Sequence, residues 1–290
     1  MLKNHAKQYD VKLKVSRDGS VKIRQYKHQK YKDLIVLDDD IKESKSGRIA
    51  KRDLTDNSTI RLDSLTRSRN LIIDYASNNC DDWVSFITLT FKDNINDLDY
   101  ANKEFNKWRT AMSRACKREG FDFKYLGVPE FQKRGAVHYH LLTNLQCGSK
   151  YLEFQKGIDE GTKMYDVKYW KHGFSSGFDV IKDTDDKFNV AFYILKYLYK
   201  DLDERLFGHT RVLKSNNLEK PNEYYLMQNN DTYIRAMNYI KEKRYDLTNV
   251  FVFEPKDSYI TPFTSLDFNS SNRFDNNTLQ DILQNDGIEF

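Results

Sequence analysis

His138 and His140 stand two apart in a run of strand-forming residues, so both imidazoles project from one face and can reach one divalent cation. About fifty residues later, Tyr193, Lys196 and Tyr197 lie three and four apart in a helical pattern, a patch of two phenols and an ammonium. A phenol is a weak nucleophile at neutral pH, with a pKa near 10, and needs help to attack phosphorus. A cation that polarises a phosphodiester beside a tyrosine that accepts the phosphoryl group covalently is the equipment for cutting and rejoining a single DNA strand. Each segment alone has a plainer explanation. A His-x-His can be two satisfied polar residues on a sheet, and paired tyrosines in a chain holding 19 of them can be packing.

The elements that must position these residues follow from periodicity. Val84–Phe91 is β-branched and aromatic and ends at Lys92-Asp93-Asn94, so a strand is expected. Leu98, Ala101, Phe105, Trp108, Met112 and Ala115 then recur at helical steps behind Asp97, which is placed to cap the helix. Tyr125–Val128 and Val137–Leu142 form a hairpin around Gly135, and a strand at Phe178–Ile181 precedes a helix at about 189–201. A turn at Arg134-Gly135-Ala136 would pair Gln132 with His138 and Glu130 with His140, all on one face. Glu130 then becomes a third ligand beside His138 and His140, and the carboxylate admits Mg²⁺ or Mn²⁺, with imidazole favouring Mn²⁺. The order of elements indicates an α+β sandwich with helices on one face of an antiparallel sheet. Earlier, Val11–Val15 and Val21–Arg24 read as a basic hairpin, and Ser64–Ala76 as a helix.

Composition excludes several classes. With 39% hydrophobic and 14% aromatic residues in 290, the chain can bury a sizeable core, and no apolar run reaches a membrane span. The first seven residues lack an apolar segment, which predicts a cytoplasmic protein. Cys80, Cys116 and Cys147 are odd in number and widely spaced, unlike a disulfide framework or zinc knuckle. Residues 249–290 carry seven acids and two bases, whereas the other 248 residues sum to +9 within a net charge of +4. A basic body suits a polyanionic partner. For single-stranded DNA, Lys133, Arg134, Lys168, Tyr169, Trp170, Lys171 and Lys200 are candidate contacts, and Lys42, Lys45, Arg48, Lys51 and Arg52 candidates for sequence specificity.

Taken together, Phe86–Phe91, then Glu130-x-Gln132-Lys133-Arg134-Gly135-x-x-His138-Tyr139-His140, then Tyr193-x-x-Lys196-Tyr197 resemble the three motifs of HUH endonucleases of the rolling-circle replication initiator class. The resemblance spans about residues 64–221 and takes in Trp170–Phe174 and Arg211–Pro221, as in bacterial plasmid and phage members. It implies an RRM-like, ferredoxin-like sheet with the metal-binding strand at its centre. By the same resemblance His138 and His140 are metal ligands with Glu130, Tyr193 is the principal nucleophile and Tyr197 a second one or a packing residue. Tyr199 lies on another helical face, and His172 is a further ligand or a loop histidine, the loop being favoured. The implied activity is nicking one strand at a replication origin, with a 5′-phosphotyrosine adduct and later rejoining. No phosphate-binding loop is present in the sequence, so a separate host helicase is the implied partner. The alternatives are an HUH single-strand transposase, a relaxase, or a non-catalytic RRM-like nucleic-acid-binding module.

The expected organisation is a basic N-terminal segment (1–63), the catalytic domain (64–221), a C-terminal extension (222–248) and an acidic, partly disordered tail (249–290). The last residues, Asp286–Phe290, are similar to the acidic, phenylalanine-ended tip of bacterial single-strand-binding proteins, which implies docking of a replication factor there.

Overall fold

The computed structural model describes residues 7–32, 57–159, 162–180, 189–200, 206, 209–254, 261–270, 272 and 275–284. The candidate specificity residues Lys42 to Arg52, Ile181 and the tip Asp286–Phe290 lie outside them. The chain divides into two compact units, one of residues 57–220 and one that joins 1–56 to 221–290.

The chain opens with β1 (Lys7–Val15) and β2 (Ser20–Lys32), the basic hairpin expected from their alternation, with Gly19 at φ 100 in the turn. The unit of residues 57–220 begins with α1 (Asn57–Asn78), followed by β3 (Ser85–Thr90) and α2 (Leu98–Arg118). Asp97 caps α2 by accepting from the amides of Asp99 and Tyr100, and the apolar stripe from Leu98 to Ala115 is buried as its spacing requires. Then come β4 (Tyr125–Phe131), β5 (Val137–Thr143), β6 (Leu152–Asp159), β7 (Thr162–Val167), β8 (Ser175–Asp179), α3 (Asn189–Lys200) and β9 (Leu213–Lys214). These strands form one antiparallel sheet in the order β6-β7-β8-β3-β5-β4-β9. The α+β class is as expected. The β6–β7 hairpin is a departure, because its polar, largely exposed residues carry little apolar alternation.

The placement of the helices corrects the sequence reading. Ile87, Leu89, Val137, Tyr139 and Leu141 pack against the α2 stripe. Phe86, Leu126, Val128 and Leu142 pack with Ile72 and Ala76 of α1 and with Ile194, Leu195 and Leu198 of α3. Helices therefore cover both faces rather than one. Every residue of β4 and β5 is buried, as a strand covered on both sides must be. Each large apolar side chain so removed from water contributes ~1.5–3 kcal/mol.

The second unit is completed by β10 (Asn222–Leu226), α4 (Asp231–Glu242), β11 (Asp246–Phe253), β12 (Phe263–Asn269) and α5 (Asp275–Gln284). Its sheet runs β10-β1-β2-β12-β11, and α4 and α5 close one face over Val11, Leu13, Val21 and Ile23. The N-terminal segment, the C-terminal extension and part of the acidic tail thus share one core, where the sequence reading treats them as three stretches. Among the described residues no helix is long and apolar enough to cross a membrane.

Candidate active site

β5 lies between β3 and β4, and its neighbours decide what the histidines meet. Thr88 faces His140 and Thr90 faces His138 on one side, while Val128 faces His140 and Glu130 faces His138 on the other. The pairing differs by two residues from the expected one. Gly135, at φ 94, donates to the Gln132 carbonyl, and the Gln132 amide donates to Ala136. The turn is therefore Lys133-Arg134-Gly135, because the third position of such a loop takes the left-handed conformation and glycine tolerates it. A shift of two preserves the faces, so Glu130, His138 and His140 still share one side.

These three side chains are buried, at 8%, 5% and 5% exposure. The Glu130 carboxylate accepts from His140 Nε2 at 2.5 Å, a diagonal contact across the strand pair. With the proton on Nε2, His140 Nδ1 accepts from the Thr88 hydroxyl at 3.1 Å. His138 Nδ1 lies 3.4 Å from Thr90 Oγ1, and its Nε2 is buried with no hydrogen-bond partner. Burial first, then the charges of His140 and Arg134, push the His138 pKa down to about 4 against the pull of Glu130. A neutral imidazole with an unpartnered buried nitrogen, beside a second imidazole and a carboxylate, fits a divalent cation by donor type. Among the described residues no three His, Cys, Asp or Glu groups are already gathered at ligand spacing, so these are donors rather than a closed cage.

The helix α3 packs on the same side. Its Tyr197 ring lies on His140, with centroids 3.6 Å apart and planes at 13°, and Phe86 is nearly parallel to both. Lys196 Nζ sits 4.8 Å from the centre of the Tyr197 ring. Ile194, Leu195 and Leu198 fix the helix through its apolar side. Tyr193 is one helical turn before Tyr197 in α3 and is described through its backbone, as is Tyr199.

Other expected residues are elsewhere. His172 Nε2 pairs with Glu104 of α2 at 3.2 Å, so it is a loop histidine apart from the pair on β5. Trp170 is buried and donates to the Thr90 carbonyl, and Lys168 pairs with Glu153. Lys133, Tyr169 and Lys171 are exposed, while Arg134 donates to the Phe91 carbonyl. Thr88 and Thr90 are the site residues that the sequence reading missed. Their two-residue spacing in β3 was visible, but only strand pairing shows that they meet the histidines.

Residues 84–202, which hold every element of this arrangement, match a family of replication-associated proteins, the ORF2 type. The chain is also 26% identical over 134 residues to a protein of Escherichia coli named Phasyl DNA replicon protein arp, a match covering 42% of this chain and 45% of that one. The chain thus spans less than half the length of this curated relative. No solved structure matches. In residues 84–202 the chain carries the sequence pattern of the replication-associated protein family, in keeping with a rolling-circle initiator.

Proposed function

We propose that this protein initiates rolling-circle replication by nicking one DNA strand at an origin and later rejoining it. The observation that carries the reading is the convergence of Glu130, His138 and His140 on the sheet face where α3 brings Tyr197 onto His140. The replication-associated family of residues 84–202 supports the same direction.

His138 and His140, with Glu130, would hold Mn²⁺ or Mg²⁺, which when bound neutralises charge on a non-bridging oxygen of the scissile phosphate. Thr88 and Thr90 orient the imidazoles by their Nδ1 atoms. Tyr193 attacks phosphorus through its phenolic oxygen. The new bond is tyrosine O–P, the broken one is P–O3′, and the departing 3′ oxygen leaves as a hydroxyl once protonated. Lys196, one turn from Tyr193 in sequence, supplies positive charge for the phosphate or the phenolate. Attack by the 3′ hydroxyl on the phosphotyrosine reverses these bonds, so rejoining needs no nucleotide. Single-stranded DNA at the origin is the substrate, and a host helicase supplies it.

The test incubates the protein with Mn²⁺ or Mg²⁺ and labelled single strands tiling its own locus, then resolves covalent adducts on a denaturing gel. A metal-dependent band that disappears in Tyr193→Phe and in His138→Ala is expected. Intact DNA binding with no adduct across the whole tiling would instead identify a non-catalytic binding module.

A further inference from the structure

The second unit leaves one sheet face without a helix among the described residues, and that face is aromatic. Its core lies on the other side, under α4 and α5. On the open side each of the five strands contributes a ring to a continuous row. Tyr225 of β10 meets Tyr9 of β1 at 4.9 Å, Tyr9 meets Tyr26 of β2 at 5.9 Å, and Tyr26 meets Phe263 of β12 at 5.8 Å. Phe263 stacks on Phe253 of β11 at 5.1 Å, and Phe251 continues the row, 51% exposed. Tyr9 joins it through a bulge. The register of β1 against β2 shifts between Tyr9 and Val11, so Tyr9 turns to this side while Val11 is in the core.

Cations are interleaved with the rings. Lys12 lies over Tyr225, Lys30 over Tyr26 and Arg24 over Phe263, at 5.2, 4.6 and 5.1 Å from the ring centres. Lys14 and Lys22 share the face, whose acids are Glu223 and Asp267, paired with these lysines. Burial lowers the pKa of both Lys12 and Lys30, and the charge of Arg24 lowers both further. This crowding of positive charge is what a polyanion relieves.

We infer that the open face of the β10-β1-β2-β12-β11 sheet is a second nucleic-acid platform, which binds a single strand by stacking its bases on the aromatic row and seating its phosphates on Lys12, Arg24 and Lys30. Unpaired bases are required because stacking on rings uses base faces that a duplex hides. The cations contact phosphate and make binding fall with salt. The partly exposed Phe251 and Phe253 are the accessible stacking seats at the sheet edge, and Tyr26 buttresses the row from within. The platform does not depend on nicking, since it lies wholly outside residues 57–220.

The full chain is tested in EDTA, where nicking makes no contribution. A fluorescent pyrimidine oligonucleotide of about 12 nucleotides, within the range of single-strand sites, is titrated by anisotropy. A 5-iodouracil version is photocrosslinked to the wild-type protein and the joined peptides are mapped. Crosslinks are expected on peptides bearing Phe251, Phe253 or Phe263. The Phe251→Ala/Phe253→Ala double variant should bind at least about tenfold more weakly, and Lys241→Ala on exposed α4 should match wild type. A duplex of the same sequence should compete poorly. Crosslinks confined to residues 57–220, an affinity within twofold of wild type in the double variant, or equal competition by duplex would each overturn the platform. The crosslinking arm uses unaltered protein, so it decides the matter even where the double variant folds poorly.

Discussion

The ring of Tyr197 lies flat on the imidazole of His140, 3.6 Å between centroids, while the other edge of that imidazole is held by Glu130. A ligand candidate is thus fixed from two sides, by a carboxylate that sets its proton and a phenol ring that sets its plane. Tyr197 therefore has a positioning role whether or not it also serves as a second nucleophile. Tyr197→Phe preserves the stacked ring and Tyr197→Ala removes it. We expect Mn²⁺ affinity, read from the signal of the free ion by electron paramagnetic resonance, to fall about tenfold in the alanine variant and to stay within twofold in the phenylalanine variant. Equal affinities in all three proteins would rule out the positioning role.

Thr88 and Thr90 act on the same imidazoles from the neighbouring strand. Replacing both with valine keeps shape and strand preference but removes the hydroxyls that face His140 Nδ1 and His138 Nδ1. The lost bonds cost stability about 1 kcal/mol each, and the rings lose their preferred tautomer. Metal affinity should drop about tenfold or more in Thr88→Val/Thr90→Val while urea unfolding changes modestly. A variant that binds Mn²⁺ as tightly as wild type would show that the threonines only fill space.

Much of this arrangement was legible in the sequence. Asp97 and the stripe from Leu98 to Ala115 specified α2, and the two-residue spacing of His138 and His140 specified their common face, which survived a register shift of two. The turn was misplaced because several three-residue windows contain Gly135, and only its left-handed φ selects the window ending there. Helices on both faces were not legible either. A strand such as Val137–Thr143, buried on both sides, shows no alternation that would reveal the second layer. The terminal unit was hidden for another reason: Leu13 pairs with Tyr224 and Ile23 with Leu266, contacts separated by more than 200 residues that no local pattern encodes.

Glu223 gives that unit a pH signature. Burial alone would raise its carboxyl, but hydrogen bonds from Lys12 and Tyr225 and the charges of Lys12 and Lys14 outweigh burial and hold its pKa down to about 2. The folded value lies below the ordinary 4.5, so this interaction stabilises the fold above about pH 4.5 and is lost as pH falls through about 2. The side chain is a third exposed, so screening reduces its contribution to about 1 kcal/mol. Urea denaturation of Glu223→Gln should show that deficit at pH 7 and almost none near pH 2. A deficit independent of pH would assign the loss to packing rather than charge.

Asn276 of α5 shows that a residue within the acidic C-terminal stretch is structural. It is 1% exposed, donates from Nδ2 to the Ser16 carbonyl at 2.8 Å, and accepts the Tyr245 hydroxyl at 2.7 Å. Asn276→Leu keeps the volume but leaves a buried carbonyl and a buried hydroxyl unpaired, a loss of about 3 kcal/mol. The exposed neighbour Asn277 should tolerate alanine within about 0.5 kcal/mol. The chain's three tryptophans, Trp83, Trp108 and Trp170, all belong to residues 57–220, so their fluorescence reports that unit alone. In Asn276→Leu the far-ultraviolet circular dichroism transition should gain an early phase while the tryptophan transition stays in place. If both transitions moved together, the two units would unfold as one, and the clamp at Asn276 would stabilise the whole chain rather than its terminal unit.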